Sequence, residues 1–178
     1  MSTLDRHQAI NKISTEILTS LDHDERESIL LDWWGIDESN PEFFALSDDM
    51  RSTIKACDDL PSDIDEKKYD ELLRIALNSN LKGVTNTYLA EKLSSLNLGE
   101  YNVYGQVELL ESCPCCGYLT LSSHGSYDIC DLCQWEDDCT LSLDTYSGPN
   151  HMTLGEAKKN FLKIGQELQL GKWVKRED

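Results

Sequence analysis

Four cysteines stand in two pairs of equal spacing, Cys113 and Cys116 within C-P-C-C-G, and Cys130 and Cys133 within C-D-L-C. Two C-x-x-C pairs on either side of a Gly- and Ser-bearing connector supply the tetrahedral four-sulfur set that a structural zinc(II) ion takes. Each pair places two sulfurs on one side of the metal, and a hairpin between them folds the second pair opposite the first. Gly117, directly after the first pair, supplies backbone freedom for amides to turn toward the sulfurs. Four thiolates complete a tetrahedron and leave no position for water or substrate. The metal is therefore expected to hold a small hairpin together rather than to do chemistry.

The other sulfurs and imidazoles read differently. Cys115 could replace Cys116 as a ligand, but the loop geometry prefers Cys113 with Cys116. With no Lys or Arg close in sequence to activate it, Cys115 reads as a partly buried neutral thiol. Cys57 falls on a helical apolar stripe and reads as core, and Cys139 has no partner by spacing. His124, at an expected turn, and His151, before the last helix, would ligate only in place of a cysteine. Both read as solvent-facing.

The 178-residue chain carries seven cysteines and a net charge of −17. An odd cysteine count fits poorly with a disulfide framework. No apolar segment opens the chain or approaches a membrane span, so the sequence predicts a reduced, cytoplasmic protein without a membrane partner. Between Lys92 and Lys158 there is no Lys or Arg, while Glu and Asp recur from Glu100 to Glu156. Nucleic-acid affinity comes largely from cations that neutralise phosphates, so direct nucleic-acid binding is disfavoured. A one-signed acidic surface suits either plain solvation or a basic protein partner.

The elements that must position the cysteines fall in two parts, expected as a helical domain over 1–100 and a zinc-ribbon-like module with a C-terminal helix over 101–178. The fold class is α+β. Ser2-x-x-Asp5 resembles a capping box ahead of Ile10, Ile13, Ile17 and Leu21 at helical spacing. Asp22-x-x-Glu25 opens a second helix, through Trp33 and Trp34, that Gly35 closes. Asn40-Pro41 starts a short segment, Ser47 caps a helix carrying Met50 and Ile54, and two more stripes follow at 69–77 and 88–96. From Tyr101 the period changes to two, predicting a strand through Val103, Val107 and Leu109 into the first cysteine pair. A strand over 118–122, a turn over 123–126 and a return strand over 127–129 complete the expected hairpin. Thr153-x-x-Glu156 caps the last helix, and the tail is polar except for Leu168, Leu170, Trp173 and Val174.

C-P-C-C-G-Y-L-T-L at 113–121, then Y-D-I-C-x-x-C-x-W-E-D-D, then S-G-P-N-H-M-T-L-G-E-A-K-K-N-F at 147–161, resemble the cysteine-rich CPCC family of bacterial proteins. The resemblance covers about fifty residues, and it implies a metal-binding module without an established activity. Members resemble small acidic proteins associated with the neutralisation of bacterial toxins. Asp131 departs from the Pro that members tend to carry after the first cysteine of the second pair, and Cys139 is this chain's own variation.

Two further groups are candidates for binding a partner. Glu136, Asp137 and Asp138 form an acidic cluster after Trp135; adjacent acids on an irregular segment point apart, which suits exposed surface better than a hard-cation site. Of Trp33 and Trp34, about 100° apart on a helix, one must face the core; the other is expected either to fill a groove between the helical part and the ribbon or to lie exposed for a partner, and Trp34 is the candidate contact. No phosphate loop, nucleophile elbow or H-E-x-x-H helix is present. The leading expectation is a non-enzymatic zinc protein that binds a basic protein, most concretely an immunity- or antitoxin-like inhibitor covering the active site of a toxin such as a nuclease. The alternatives are a thiol-redox protein using C-P-C-C, or a zinc-ribbon regulator associated with nucleic acid.

Overall fold

The computed structural model describes residues 2–57, 59–165 and 169–176; Leu168 of the expected apolar tail lies outside them. The chain divides into two compact units, Met1–Lys82 with Lys92–Asn102, and Gly83–Glu91 with Val103–Asp178. The second unit thus takes in Gly83–Glu91 as well as the cysteine-bearing segment, a crossing that one cut near residue 100 does not have. Among the described residues no helix is long and apolar enough to cross a membrane.

In the first unit, α1 (Arg6–Ser20), α2 (His23–Trp33), α3 (Asp48–Ala56) and α4 (Asp70–Ser79) bury a core of Leu30, Phe43, Met50, Ile54, Leu72 and Leu73. The capping signals explain most of the starts. Asp22 and Glu25 form the reciprocal capping box, and Ser47 accepts from the Met50 amide. At the N-terminus the expected capping box is not formed. Ser2–Asp5 is a strand, β1, and Asp5 alone caps α1 by accepting from the His7 amide. The edge of β1 is satisfied by β2 (Tyr101–Tyr104), and that pairing takes Ser2 out of any helical turn. The 3-10 turn Pro41–Ala45 begins at the expected Asn40-Pro41.

Trp34 lies in this core at 5% exposure, its indole N–H donated to the Cys57 carbonyl at 2.9 Å and its ring edge-on to Tyr69. It is therefore a packing residue and not surface for a partner. Cys57, read as core, is instead exposed just past α3, where its thiol meets the Asp59 carbonyl at 3.3 Å. Helix α3 ends one residue earlier than the stripe suggested, and Cys57 takes extended backbone there.

Helix α5 (Asn86–Ser95) is capped by the Thr85 hydroxyl on the Tyr88 amide. The expected strand over 101–109 is shorter. It breaks at Gly105, whose φ of 133° turns the chain out of extended backbone, and resumes as β3 (Glu111–Ser112). β3 pairs antiparallel with β4 (Leu119–Leu121). Residues 127–129 do not form the expected return strand, because Tyr127 sits at φ 61° in left-handed backbone. The hairpin between the cysteine pairs is thus absent, and each pair instead forms the tip of its own turn. β5 (Tyr146–Ser147) pairs with β6 (Met152–Thr153), and Thr153 with Glu156 makes the expected capping box of α6 (Leu154–Ile164).

Candidate metal centre

The two cysteine turns share one local design. In the first, the Gly117 amide donates to the Cys113 carbonyl at 2.9 Å and the Cys113 amide to the Tyr118 carbonyl at 2.8 Å. In the second, the Gln134 amide donates to the Cys130 carbonyl at 2.8 Å and the Cys130 amide to the Trp135 carbonyl at 2.8 Å. Both turns need left-handed backbone directly after the second cysteine, at φ 77° for Gly117 and 61° for Gln134. Glycine reaches that region without strain; Gln134 does so against the Cβ penalty, and its side-chain amide donates to the Cys130 carbonyl at 3.3 Å. The β3–β4 pairing closes the first turn, and a bridge between Ile129 and Glu136 closes the second.

These turns bring the four expected sulfurs together. The Sγ atoms of Cys113, Cys116, Cys130 and Cys133 all lie within 4.8 Å of one another, with three of the residues buried. Across the turns, Cys113 and Cys133 are 3.6 Å apart and Cys116 and Cys130 are 3.7 Å apart. A zinc–sulfur bond of about 2.3 Å in a regular tetrahedron gives sulfur–sulfur edges of about 3.8 Å, so the donor set fits a tetrahedral divalent ion. Cys113, Cys116, Cys130 and Cys133 would hold it. An ion bound there would cross-link the two turns, and the four sulfurs already fill a tetrahedral shell.

The sulfurs are also prepared electrostatically. Hydrogen bonds from Cys113, Cys116 and Cys133 hold Cys130 as thiolate far below the ordinary thiol range, and the Thr120 hydroxyl adds a donor at 3.0 Å. Cys113 is pushed up by its hydrogen bond to Cys116, and Cys133 by its hydrogen bond to Cys113. A bound cation would replace the thiol protons. Thr120, and the Cys133 amide 3.5 Å from Cys130 Sγ, orient the sulfur from outside the donor set. The hydroxyl was not singled out by the sequence, where it reads only as an alternating strand residue.

Cys115 is buried beside the cluster, and a hydrogen bond from Cys133 draws its thiol down. A cation does approach it. Lys158 Nζ donates to the Cys115 carbonyl at 3.4 Å, although 43 residues separate the two. The tail brings more positive charge: the Arg176 amide donates to the Gly117 carbonyl at 3.0 Å, and Lys175 lies over the Tyr118 ring. The long cation-free stretch of sequence is therefore not cation-free in space.

The acidic cluster after Trp135 is arranged otherwise than expected. Asp137 is 0% exposed; its Oδ2 accepts from the Gly125 amide at 2.9 Å and meets His124 Nδ1 at 3.1 Å. It pins the 123–126 turn and offers no surface. Glu136 and Asp138 are half-buried, with the Asp138 carboxylate held below the usual range, against the opposing pull of burial, by hydrogen bonds from Ser147 and Thr140. His124 is half-exposed and fixed between Asp137 and Glu111, apart from the four sulfurs. His151 is exposed. Trp135 is buried at 2% exposure.

Asn150, which the sequence offered only as one member of the run at 147–161, fastens the second turn. Its Oδ1 accepts from the Glu136 amide at 2.9 Å, and its Nδ2 donates to the Glu136 carbonyl at 2.8 Å and to the Ser147 hydroxyl at 2.6 Å. A side-chain amide thereby imitates a neighbouring strand. Nothing in its spacing could have signalled that.

No curated protein and no solved structure matches the chain significantly. The family model described as cysteine-rich CPCC matches residues 111–173, which contain both cysteine turns, Asn150 and α6. That match and the four-cysteine cluster both indicate metal binding. Over residues 111–173 the chain is therefore similar to the cysteine-rich CPCC family.

Proposed function

We propose that the chain is a non-enzymatic zinc protein of a reducing compartment that works by binding another protein, and that the partner is basic. The observation that carries this reading is the convergence of four sulfurs into one tetrahedral set, which fills the coordination of a zinc ion and leaves it a structural part to play. Zinc is the usual structural ion for such a set. With the metal so occupied, the molecule is left to act through its surface.

The net charge of −17 supports a basic partner. The surface proposed for it is not the expected set of Glu136, Asp137, Asp138 and Trp34 but α2. On its outer face Asp24, Glu27 and Asp32 are exposed around Leu31, which is 66% exposed. A leucine ringed by acids offers an apolar anchor within a steering field. The most concrete version is an inhibitor that covers the cationic active site of a toxin such as a nuclease. Affinity capture from cells that express the chain tests it, with a Leu31→Lys/Glu27→Lys variant in parallel. The expected result is a basic protein retained by the native chain and lost by the variant. Equal recovery with both, or no basic protein at all, overturns the reading.

A further inference from the structure

Beside the metal centre, within the second unit, lies a cavity of about 460 Å³ whose walls include His124, Asp137, Cys139, Lys158, Arg176 and Ser112. That volume is in the range of small-molecule sites. None of these side chains belongs to the four-sulfur set.

Its walls carry unmet bonding capacity of both signs. Asp137 is fully buried and lines the cavity, and its Oδ1 has no hydrogen-bond partner, since only Oδ2 is engaged by Gly125 and His124. A buried carboxylate oxygen left so calls for a donor. On the other side, Lys158 Nζ donates to the Cys115 carbonyl at 3.4 Å, and Arg176 Nη1 to the Ser112 hydroxyl at 3.3 Å. Among the described residues neither cation is paired with a carboxylate. Between these charges Cys139 presents an exposed free thiol. Its sulfur fills the space next to Gly125, where a Cβ would stand 2.2 Å from it, so the thiol is seated against the same turn that Asp137 pins.

A ligand that answers all three groups has a carboxylate, an amino N–H and a disulfide. We propose that this cavity binds the disulfide of a small amino-acid thiol and that Cys139 forms a mixed disulfide with it. The carboxylate sits on Arg176 and Lys158, and the ammonium donates to Asp137 Oδ1 once the cavity wall shifts to uncover that buried atom. The Cys139 thiolate attacks one sulfur of the bound disulfide. The new Cys139 sulfur–sulfur bond forms as the old one breaks, and the second half leaves as a thiol carrying the proton that Cys139 gave up. The bound disulfide is the oxidant, and no other is required. The product is a reversible cap on Cys139.

Cystine, cystamine and dithiodipropionate separate the contributions, since the second lacks the carboxylates and the third the amines. The full-length, zinc-loaded protein is treated with each, and modification at Cys139 is timed against that at Cys57, the other exposed thiol. Cleavage at Glu136 parts Cys139 from the cluster cysteines for mass spectrometry. Cystine should modify Cys139 about tenfold faster than Cys57, as one charge-assisted contact implies, and each truncated reagent should lower that ratio. Lys158→Met/Arg176→Met should remove the preference for cystine over cystamine while leaving the Cys57 rate unchanged. Equal rates at the two thiols, or one ratio for all three reagents, would overturn the proposal.

Discussion

Gly117 and Gln134 occupy equivalent positions and solve the same backbone problem with different side chains. Among the described residues nothing lies within 4 Å of a Cβ built on Gly117, so a substitution there meets the left-handed backbone. Gly117→Ala should cost about 1–2 kcal/mol, read as a lower denaturation midpoint of the metal-loaded protein. Asn150 bonds both the amide and the carbonyl of Glu136, and removing it leaves the amide without that partner while the carbonyl keeps the Asp138 amide at 3.1 Å. Asn150→Ala should cost about 1–3 kcal/mol in the same measurement, with the second turn losing amide-exchange protection first. At this scale the ligands were legible, because spacing alone nominates Cys113, Cys116, Cys130 and Cys133. Their supports were not. Thr120, Asn150 and the buried Asp137 act through contacts far along the chain, and an acid run on paper looks like surface.

Among elements, α2 shows how a helix with few apolar residues is held. Arg26 is buried, donates to the Ile64 carbonyl at 3.3 Å from both Nε and Nη2, and reaches Asp70 at 2.9 Å. Arg26→Ala removes these bonds and leaves the half-buried Asp70 carboxylate without its cation. It should destabilise the first unit by about 3 kcal/mol, measured by thermal or denaturant unfolding. The helices were readable because caps and stripes are local: Asp22, Ser47 and Thr153 all open helices where the sequence placed them. The strands were less so. Gly105 and Tyr127 take positive φ where period-two alternation predicted extended chain, and Ser2 is drawn into a strand by a partner a hundred residues away. Short pairings decided by distant partners leave little mark in local pattern.

For the whole molecule, the two units depend on different forces. The first has a contiguous apolar core. The cysteine-bearing turns of the second have only two-residue and three-residue strands around them, too little pairing to stand unaided. Chelation should therefore loosen the second unit while the helical signal of α1–α4 persists, and the loss should come more readily as pH falls, because protons compete for the sulfurs. A single cooperative loss of all structure on chelation would contradict that division. The account rests most directly on the sulfur cluster, and elemental analysis with thiol titration tests it. Purified protein should carry one tightly held zinc per chain, with Cys57 and Cys139 as the readily titrated thiols, and Cys130→Ser should lose the metal. Protein that contains no metal, or whose cluster cysteines titrate as freely as Cys139, would contradict it.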